Sequence, residues 1–563
     1  MRKSLSPLAH SLLARTTWFG LLCLISFSGE VLGQFNVFSK YFSDQRRAVI
    51  VVPPTEISGL VRDGQVLLTE QQAVEMALRY NLEVNIERHI PILNLWAVEE
   101  QRGVYDPLGT FNFDWDREKS PTTSALQGGN SITNVLTLYQ FGYEQKFSTG
   151  STFEMNFLGS RGRTTSFFSS LVPAITTSFE VLFRQNILKG FGRIPADYQI
   201  EISRTNLEIS QQEFKRRAVE LILRVQDQYW NLRFALEAIR VEDTALEAAQ
   251  TLLEQNVARF EVGSASRLEV LQGEAELALR QEERIRVGYR HRQIQDQLIR
   301  LISDYEDPRS FPFEIVPADL PDADFQVSES FERLQAIAQE LRPELQQSDL
   351  QIENERVNLD LSRNELRPTL DLVAGYQQFG LGGQRIVRDF SGGFTDPQII
   401  DIIPGGLEDS LDQLFSSEFY GYLLGLEVRL PVFNREARAR NAQAQIRYDR
   451  AVLSRKNVQQ LVSLEIRDAL TQLEMNQASL QTGRSGLRAA QERLEAEQAR
   501  FEVGAGTTRQ LIEAQRDLIR AESIVVRAET DLMKSQALLD RALGRTFERH
   551  NISLTEALEM NVQ

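Results

Sequence analysis

The spacing of apolar positions changes character along this 563-residue chain, and each change marks a different kind of element. Leu68-Thr69-Glu70-Gln71-Gln72-Ala73 opens a pattern of period 3.6, with Thr69 placed to cap a helix and Gln72 three residues on to return the bond. The helical pattern continues toward Gly103, and then the period drops to two. Phe111, Phe113 and Trp115 alternate with Asn112, Asp114 and Asp116. Tyr139, Phe141 and Tyr143, then Phe153, Met155 and Phe157, then Phe179, Val181 and Phe183 repeat the alternation. Leu370, Leu372, Ala374 and Tyr376, and later Leu424, Leu426, Val428 and Leu430, do so again. Each run predicts a strand of about ten residues, greasy on one face and polar on the other, as in a transmembrane β-barrel. A soluble half-buried sheet gives the same alternation. Gly380 to Ser417 and Ser120 to Ser131, rich in small and polar residues, predict long external loops.

Between the strand regions lie two long helical blocks, nearly free of Gly and Pro, from about Ala196 to Val262 and from about Glu436 to Val503. At 1.5 Å per residue each could extend on the order of 100 Å. Leu246, Ala249, Leu253, Val257 and Phe260 recur at steps of three and four, as do Leu487, Ala490, Leu494 and Phe501 with Gln498 in the remaining place. That spacing predicts helices wound side by side in a wall. The blocks also repeat each other: Ala258-Arg259-Phe260-Glu261-Val262-Gly263 returns as Ala499-Arg500-Phe501-Glu502-Val503-Gly504, 241 positions later. The offset holds without a gap from Val225 to Leu277, so the chain contains one helical hairpin twice.

Composition narrows the function classes. A net charge of −16 argues against a nucleic-acid partner, because phosphates would go unneutralised. Arg2, Lys3 and Arg15 precede the short apolar run Trp18 to Phe27, and Val31-Leu32-Gly33 offers small residues for cleavage, as in an export signal. The single cysteine, Cys23, lies inside that segment. His89, His291 and His550 are scattered, and neither a phosphate-binding Gly-rich loop nor paired metal-ligand spacing occurs. Neither catalysis nor a cofactor is expected. Tyr229 and Trp230 are expected to pack in the helical wall.

The order of these features resembles the outer membrane efflux proteins, the TolC-like channel-tunnels of Gram-negative bacteria. The residues carrying the resemblance are Leu68 to Ala73 with Ala77-Leu78-Arg79-Tyr80-Asn81, Gln228-Tyr229-Trp230-Asn231-Leu232, Arg342-Pro343-Glu344-Leu345, Arg429-Leu430-Pro431-Val432-Phe433, and the two Val-Gly turns. The resemblance implies a mainly α fold with β: duplicated long helical hairpins forming a trimeric α-barrel, plus a transmembrane β-barrel shared by three subunits. It implies a homotrimer in outer-membrane lipid, joined to a periplasmic adaptor (membrane fusion) protein and an inner-membrane pump, for efflux or type I secretion. The runner-up is a periplasmic adaptor or coiled-coil scaffold, which would carry one hairpin between β-domains.

On this reading residues 1–33 are the signal, 34–106 an N-terminal periplasmic helical segment and 107–190 the first outer-membrane strands. Residues 191–305 form the first hairpin with its tip at 262–266, 306–335 an equatorial linker and 336–367 a second-half helix. Residues 368–433 carry the second strands and external loop, 434–545 the second hairpin with its tip at 503–507, and 546–563 the tail. The resemblance places Val262, Gly263, Ser264, Val503, Gly504 and Ala505 at the adaptor-docking tip. It makes Glu269, Gln272, Gln510 and Glu513 candidates to line a periplasmic gate, acid and amide having swapped between the repeats, with Arg267 and Arg509 as possible ties. Gly506 and Phe501 stand where better-known members place an Arg and a Tyr. Glu180, Arg184, Glu427 and Arg429 are expected to face the barrel lumen. Gln185-Asn186-Ile187-Leu188 departs from the pattern of Leu430 to Phe433, with Asn for Pro. The extra alternating segment at 132–161 exceeds the family's usual four strands, implying a hairpin outside the wall or a larger barrel.

Overall fold

The computed structural model describes residues 61–553, apart from 63, 123–129, 308–309, 323–324, 390 and 392–397, together with residues 555 and 558. The expected export signal, with Cys23, lies outside the described residues.

A short strand β1 (Val61–Arg62) turns into β2 (Gln65–Leu68), which leads to helices α1 (Glu70–Tyr80) and α2 (Leu82–Arg102). The cap at Thr69 forms as its sequence predicts: the Gln72 amide donates to the Thr69 hydroxyl at 3.2 Å, and the Thr69 amide donates to the Gln72 side chain at 3.1 Å. The helical pattern is not continuous to Gly103, however. Asn81 breaks it, ending α1 through its backbone amide and starting α2 by accepting from the Val84 amide.

Strands β3 (Leu108–Pro121), β4 (Ser131–Lys146), β5 (Ser151–Thr164) and β6 (Leu171–Asn186) then precede the 69-residue helix α3 (Arg193–Glu261). Helix α4 (Arg267–Ile302) returns antiparallel to it. Strand β7 (Glu314–Pro317) pairs parallel with β2, and helices α5 (Phe331–Leu341) and α6 (Pro343–Glu365) lead into β8 (Thr369–Asp389). The expected loop at 380–417 is largely structured: β8 runs on to Asp389, β9 (Gln398–Ile403) folds back on it, and helix α7 (Leu407–Ser416) packs on the sheet. Thr177 donates to the Ser410 carbonyl at 3.2 Å, and Gly380 makes the approach possible, because a Cβ there would lie 1.8 Å from that oxygen. β10 (Tyr420–Arg429) closes the strand region before the second hairpin, α8 (Arg435–Glu502) and α9 (Thr508–Leu543), and the short α10 (Thr546–Arg549).

The sheet is antiparallel, with main order β10-β8-β6-β5-β4-β3. The segment at 132–161 is therefore not a hairpin outside the wall: β4 and β5 sit in the sheet between β3 and β6. Phe111 pairs with Phe141, Phe141 with Phe157 and Phe157 with Phe179, so one aromatic row crosses four strands on one face. Most strands are longer than the predicted ten residues; β8 has 21. Alternation locates the amphipathic middle of each strand, and pairing extends it outward.

The principal core lies where α1, the middle of α3, the end of α4 and the end of α9 meet, and it includes Phe214, Tyr229, Trp230, Leu298 and Leu532. The hydroxyl of Tyr229 donates to the Leu68 carbonyl at 3.0 Å, and the Trp230 indole donates to Glu70 at 3.2 Å. Both aromatics are wall packing.

Candidate functional site

Each hairpin reverses at a glycine in the left-handed region, Gly263 at φ 77° and Gly504 at φ 74°. A side chain would meet no atom within 4 Å at either, so backbone conformation alone selects glycine. The Ser264 amide donates to the Arg259 carbonyl at 2.8 Å, and the Ala505 amide does the same to Arg500 at 2.8 Å. These bonds satisfy carbonyls that the helix ends leave open. Val262 and Val503, each 78 % exposed, project from the turns.

At the first of the two swapped positions, acid and amide do the same local work. Glu269 is the third residue of α4, and its carboxylate accepts from the Ser266 amide at 3.1 Å. Gln510 occupies the same place in α9 and accepts from the Thr507 amide at 3.0 Å. Glutamate and glutamine both complete a capping box. Glu513 is exposed and ion-paired to Arg509 at 2.9 Å, Gln272 is half-buried, and Arg267 lies 3.8 Å from Glu274. The expected stripe on α3 shifts: Ala245, Ala249, Leu252 and Asn256 are buried, while Val257 and Phe260 are exposed.

The hairpins are joined by residues outside the candidate set. Thr508 donates to Asn256 at 3.2 Å, and the Arg259 guanidinium lies over the Phe501 ring, 4.5 Å from its centroid. Phe501 also packs with Leu252, Leu511 and Ile512 in a small second core. Higher up, Glu276 is only 4 % exposed and accepts from Arg280 at 2.8 Å and from Arg516 of the second hairpin at 3.0 Å. Arg280 also meets Glu242 of α3 at 3.4 Å. Burial would raise the Glu276 carboxyl, but the hydrogen bonds from Arg516 and Arg280 outweigh it and hold it below the usual carboxylate range. One signal marked this site in the sequence: Glu276 and Arg280 continue the stripe from Val270 and Gly273 at steps of three and four.

Across the sheet, the face opposite the aromatic row is polar. Arg184 donates to Glu427 at 2.6 Å and lies 3.7 Å from Asp371, while Arg429 reaches Glu427 at 3.3 Å and Asp371 at 3.5 Å. Three of the lumen candidates thus converge on Asp371. The fourth, Glu180, accepts from Gln377 at 2.6 Å. Among the described residues there is no cluster able to hold a metal ion, and no helix is long and apolar enough to cross a membrane.

A sheet with one aromatic and one charged face, continuous with two rods of roughly 100 Å, is the subunit architecture of a barrel joined to a helical tunnel. The family profile described as outer membrane efflux protein matches residues 159–303 and 334–545. This chain belongs to the outer membrane efflux protein family. Its fold is that of the TolC-like channels. The outer-membrane channel OprN superposes with a TM-score of 0.58 at 16 % identity, over 88 % of this chain and 98 % of its own. The Campylobacter jejuni CmeC channel gives 0.58 at 14 %, over 91 % and 97 %. The open-state MtrE channel of Neisseria gonorrhoeae gives 0.53 at 17 %, over 90 % and 98 %. No curated protein matches the chain.

Proposed function

We propose that three copies of this chain assemble into one duct through the outer membrane and periplasm, the passive exit of a tripartite efflux pump or type I secretion system. The observation that carries this reading is the open sheet. Strands β3 and β10 are its two edges, and its aromatic face is exposed at Phe111, Phe113, Trp115 and Phe141. Hydrocarbon offers no partner to edge amides, so such a sheet is stable in lipid only when closed. Three copies of the six-stranded path supply 18 strands. At a spacing of about 4.8 Å and a tilt of about 40°, 18 strands close into a ring roughly 36 Å across.

The charged face around Asp371 then lines the lumen, with Glu180, Arg184, Glu427 and Arg429. The exposed turns at Val262, Gly263, Ser264, Val503, Gly504 and Ala505 dock on a periplasmic adaptor, and the inner-membrane partner supplies the energy. Glu269 and Glu513, repeated threefold near the tip, give the entrance a cation preference. Fractionation tests the assembly: the chain is expected in outer membranes as detergent-resistant trimers that form ion channels in planar bilayers. Recovery as a soluble periplasmic monomer would refute it.

A further inference from the structure

The aromatic face of the sheet turns basic at one end. The helices join the strands at Leu108, Asn186, Thr369 and Arg429, so the other ends of the strands point away from the rods. In the register that aligns Phe111, Phe141, Phe157 and Phe179, Trp115 pairs with Thr137, Thr137 with Arg161 and Arg161 with Ile175. One row further from the helices, Arg117 pairs with Val135 and Val135 with Arg163. Lys119 lies two residues beyond Arg117 on the same face of β3. Arg117 and Arg163 stand two strand spacings apart, about 10 Å. The acids of β3 to β6 are Asp114, Asp116, Glu118, Glu144, Glu154 and Glu180, and the same register puts every one of them on the opposite face. The four cations are exposed, and among the described residues none of them is ion-paired.

The height of this cluster matches a membrane boundary. Along β6 the aromatic face runs through Phe183, Val181, Phe179, Thr177 and Ile175, roughly 26 Å of strand. At a barrel tilt of about 40° this covers about 20 Å of depth, close to the apolar band of ~25 Å on an outer-membrane barrel. Because Ile175 pairs with Arg161, the cations begin where hydrocarbon would give way to headgroups. Beside Arg161 and Arg163 opens a cleft of about 510 Å³, lined also by Thr137, Tyr139, Ile175 and the turn Gly405-Gly406-Leu407 that leads into α7. Asp409, in the first turn of that helix, is engaged by the Gly406 amide, which donates to it at 2.7 Å.

Resting on the outer-membrane placement proposed above, we infer that Arg117, Lys119, Arg161 and Arg163 bind the phosphorylated headgroup of an outer-leaflet lipid, whose acyl chains lie down the aromatic face. Guanidinium groups grip phosphate oxygens through paired N–H donors, and cations set against a membrane surface gather anionic headgroups. Arg161 and Arg163 stand on an interior strand and keep this face however the sheet closes, while Arg117 and Lys119 join from the edge strand. A soluble phosphate would use the cations alone. The adjoining aromatic face selects a phosphate that carries acyl chains.

The test is native mass spectrometry of the full-length protein in detergent, titrated with bisphosphorylated lipid A, with its monophosphorylated form and with phosphatidylethanolamine. The bisphosphorylated lipid is expected to bind most tightly. Arg161→Gln with Arg163→Gln should weaken it about tenfold, and each single substitution by less. Arg161→Lys with Arg163→Lys keeps the charge without the paired donors and should fall between. Lys146→Gln removes a cation from the opposite face at the helix end of β4 and should leave lipid binding as it was. Trimer mobility on native gels should be the same for all of them, which separates lost binding from lost assembly. Equal binding by the glutamine pair, or displacement of the lipid by millimolar inorganic phosphate, would overturn the lipid site and leave the duct reading standing. Absence of trimers in the unsubstituted protein would overturn both.

Discussion

Arg516 of the second hairpin donates to Glu276 of the first at 3.0 Å, at a point where Glu276 already accepts from its own helix neighbour Arg280. One buried carboxylate therefore ties the hairpins together some way above the tip. Glu276→Ala would leave Arg280, itself 7 % exposed, with only a long contact to Glu242. Loss on the order of 3 kcal/mol is expected, since an uncompensated buried charge is costly. Glu276→Gln, which keeps an acceptor, should cost less. Thermal unfolding of the purified variants in detergent measures both. Because the folded carboxyl titrates below its ordinary value, this stabilisation is present at neutral pH and is lost as pH falls through and below the usual carboxylate range.

Glu269→Gln should separate charge from structure at the tip. Glutamine already fills the equivalent capping position at Gln510, so helix α4 should retain its cap and the protein its melting temperature. The same substitution combined with Glu513→Gln should lower cation selectivity in planar bilayers. An unchanged reversal potential would remove both residues from the entrance.

His550 supplies a pH-dependent contribution in the core. Burial pushes its imidazole down to about 4, and its Nε2 accepts from Gln226 at 3.2 Å, a bond that protonation abolishes. The unfolded chain takes up a proton near 6.5 and the folded chain does not until about 4. Stability should therefore fall as pH drops from about 6.5 to about 4, by up to about 3 kcal/mol. In His550→Gln that slope should disappear from pH-dependent melting curves.

The β4–β5 hairpin can be removed without reversing any strand, because an even number of strands preserves antiparallel order. The pairing row Phe111–Phe141–Phe157–Phe179 then brings Phe111 opposite Phe179 with faces conserved. A chain joined from Pro121 to Leu171 through a short Gly/Ser linker is expected to reach the outer membrane with a narrower barrel. Exclusion of neutral polymers during bilayer recording would report the reduced bore, and an unchanged cut-off would place the limiting constriction elsewhere.

Much of this architecture was legible in residue order alone. The switch from period 3.6 to period two separates rods from strands, because a helix repeats its buried face every three or four residues and a strand every second. The repeated hexapeptide fixes two reversals, since Gly263 and Gly504 supply the positive φ that a tight turn requires. Thr69 and Gln72 announced a capping box that formed as written. The length of the two rods followed from the scarcity of Gly and Pro. The charged alternation of Arg184, Glu427 and Arg429 marked residues that share one charged face of the sheet.

Other features depend on which segments meet. Alternation tells a strand which face to bury but not which neighbour to pair with, so only the register placed β4 and β5 inside the sheet and gathered three candidates around Asp371. A stretch rich in small and polar residues reads the same whether it is a loop or a strand extension, and β8, β9 and α7 emerged from a stretch that reads as loop. Phe260 and Phe501 have identical sequence neighbours from two residues before to three after, yet one is exposed and the other buried. Local sequence is the same for both; the difference arises from the distant helix packed against one of them, because burial is a property of contacts made across the chain.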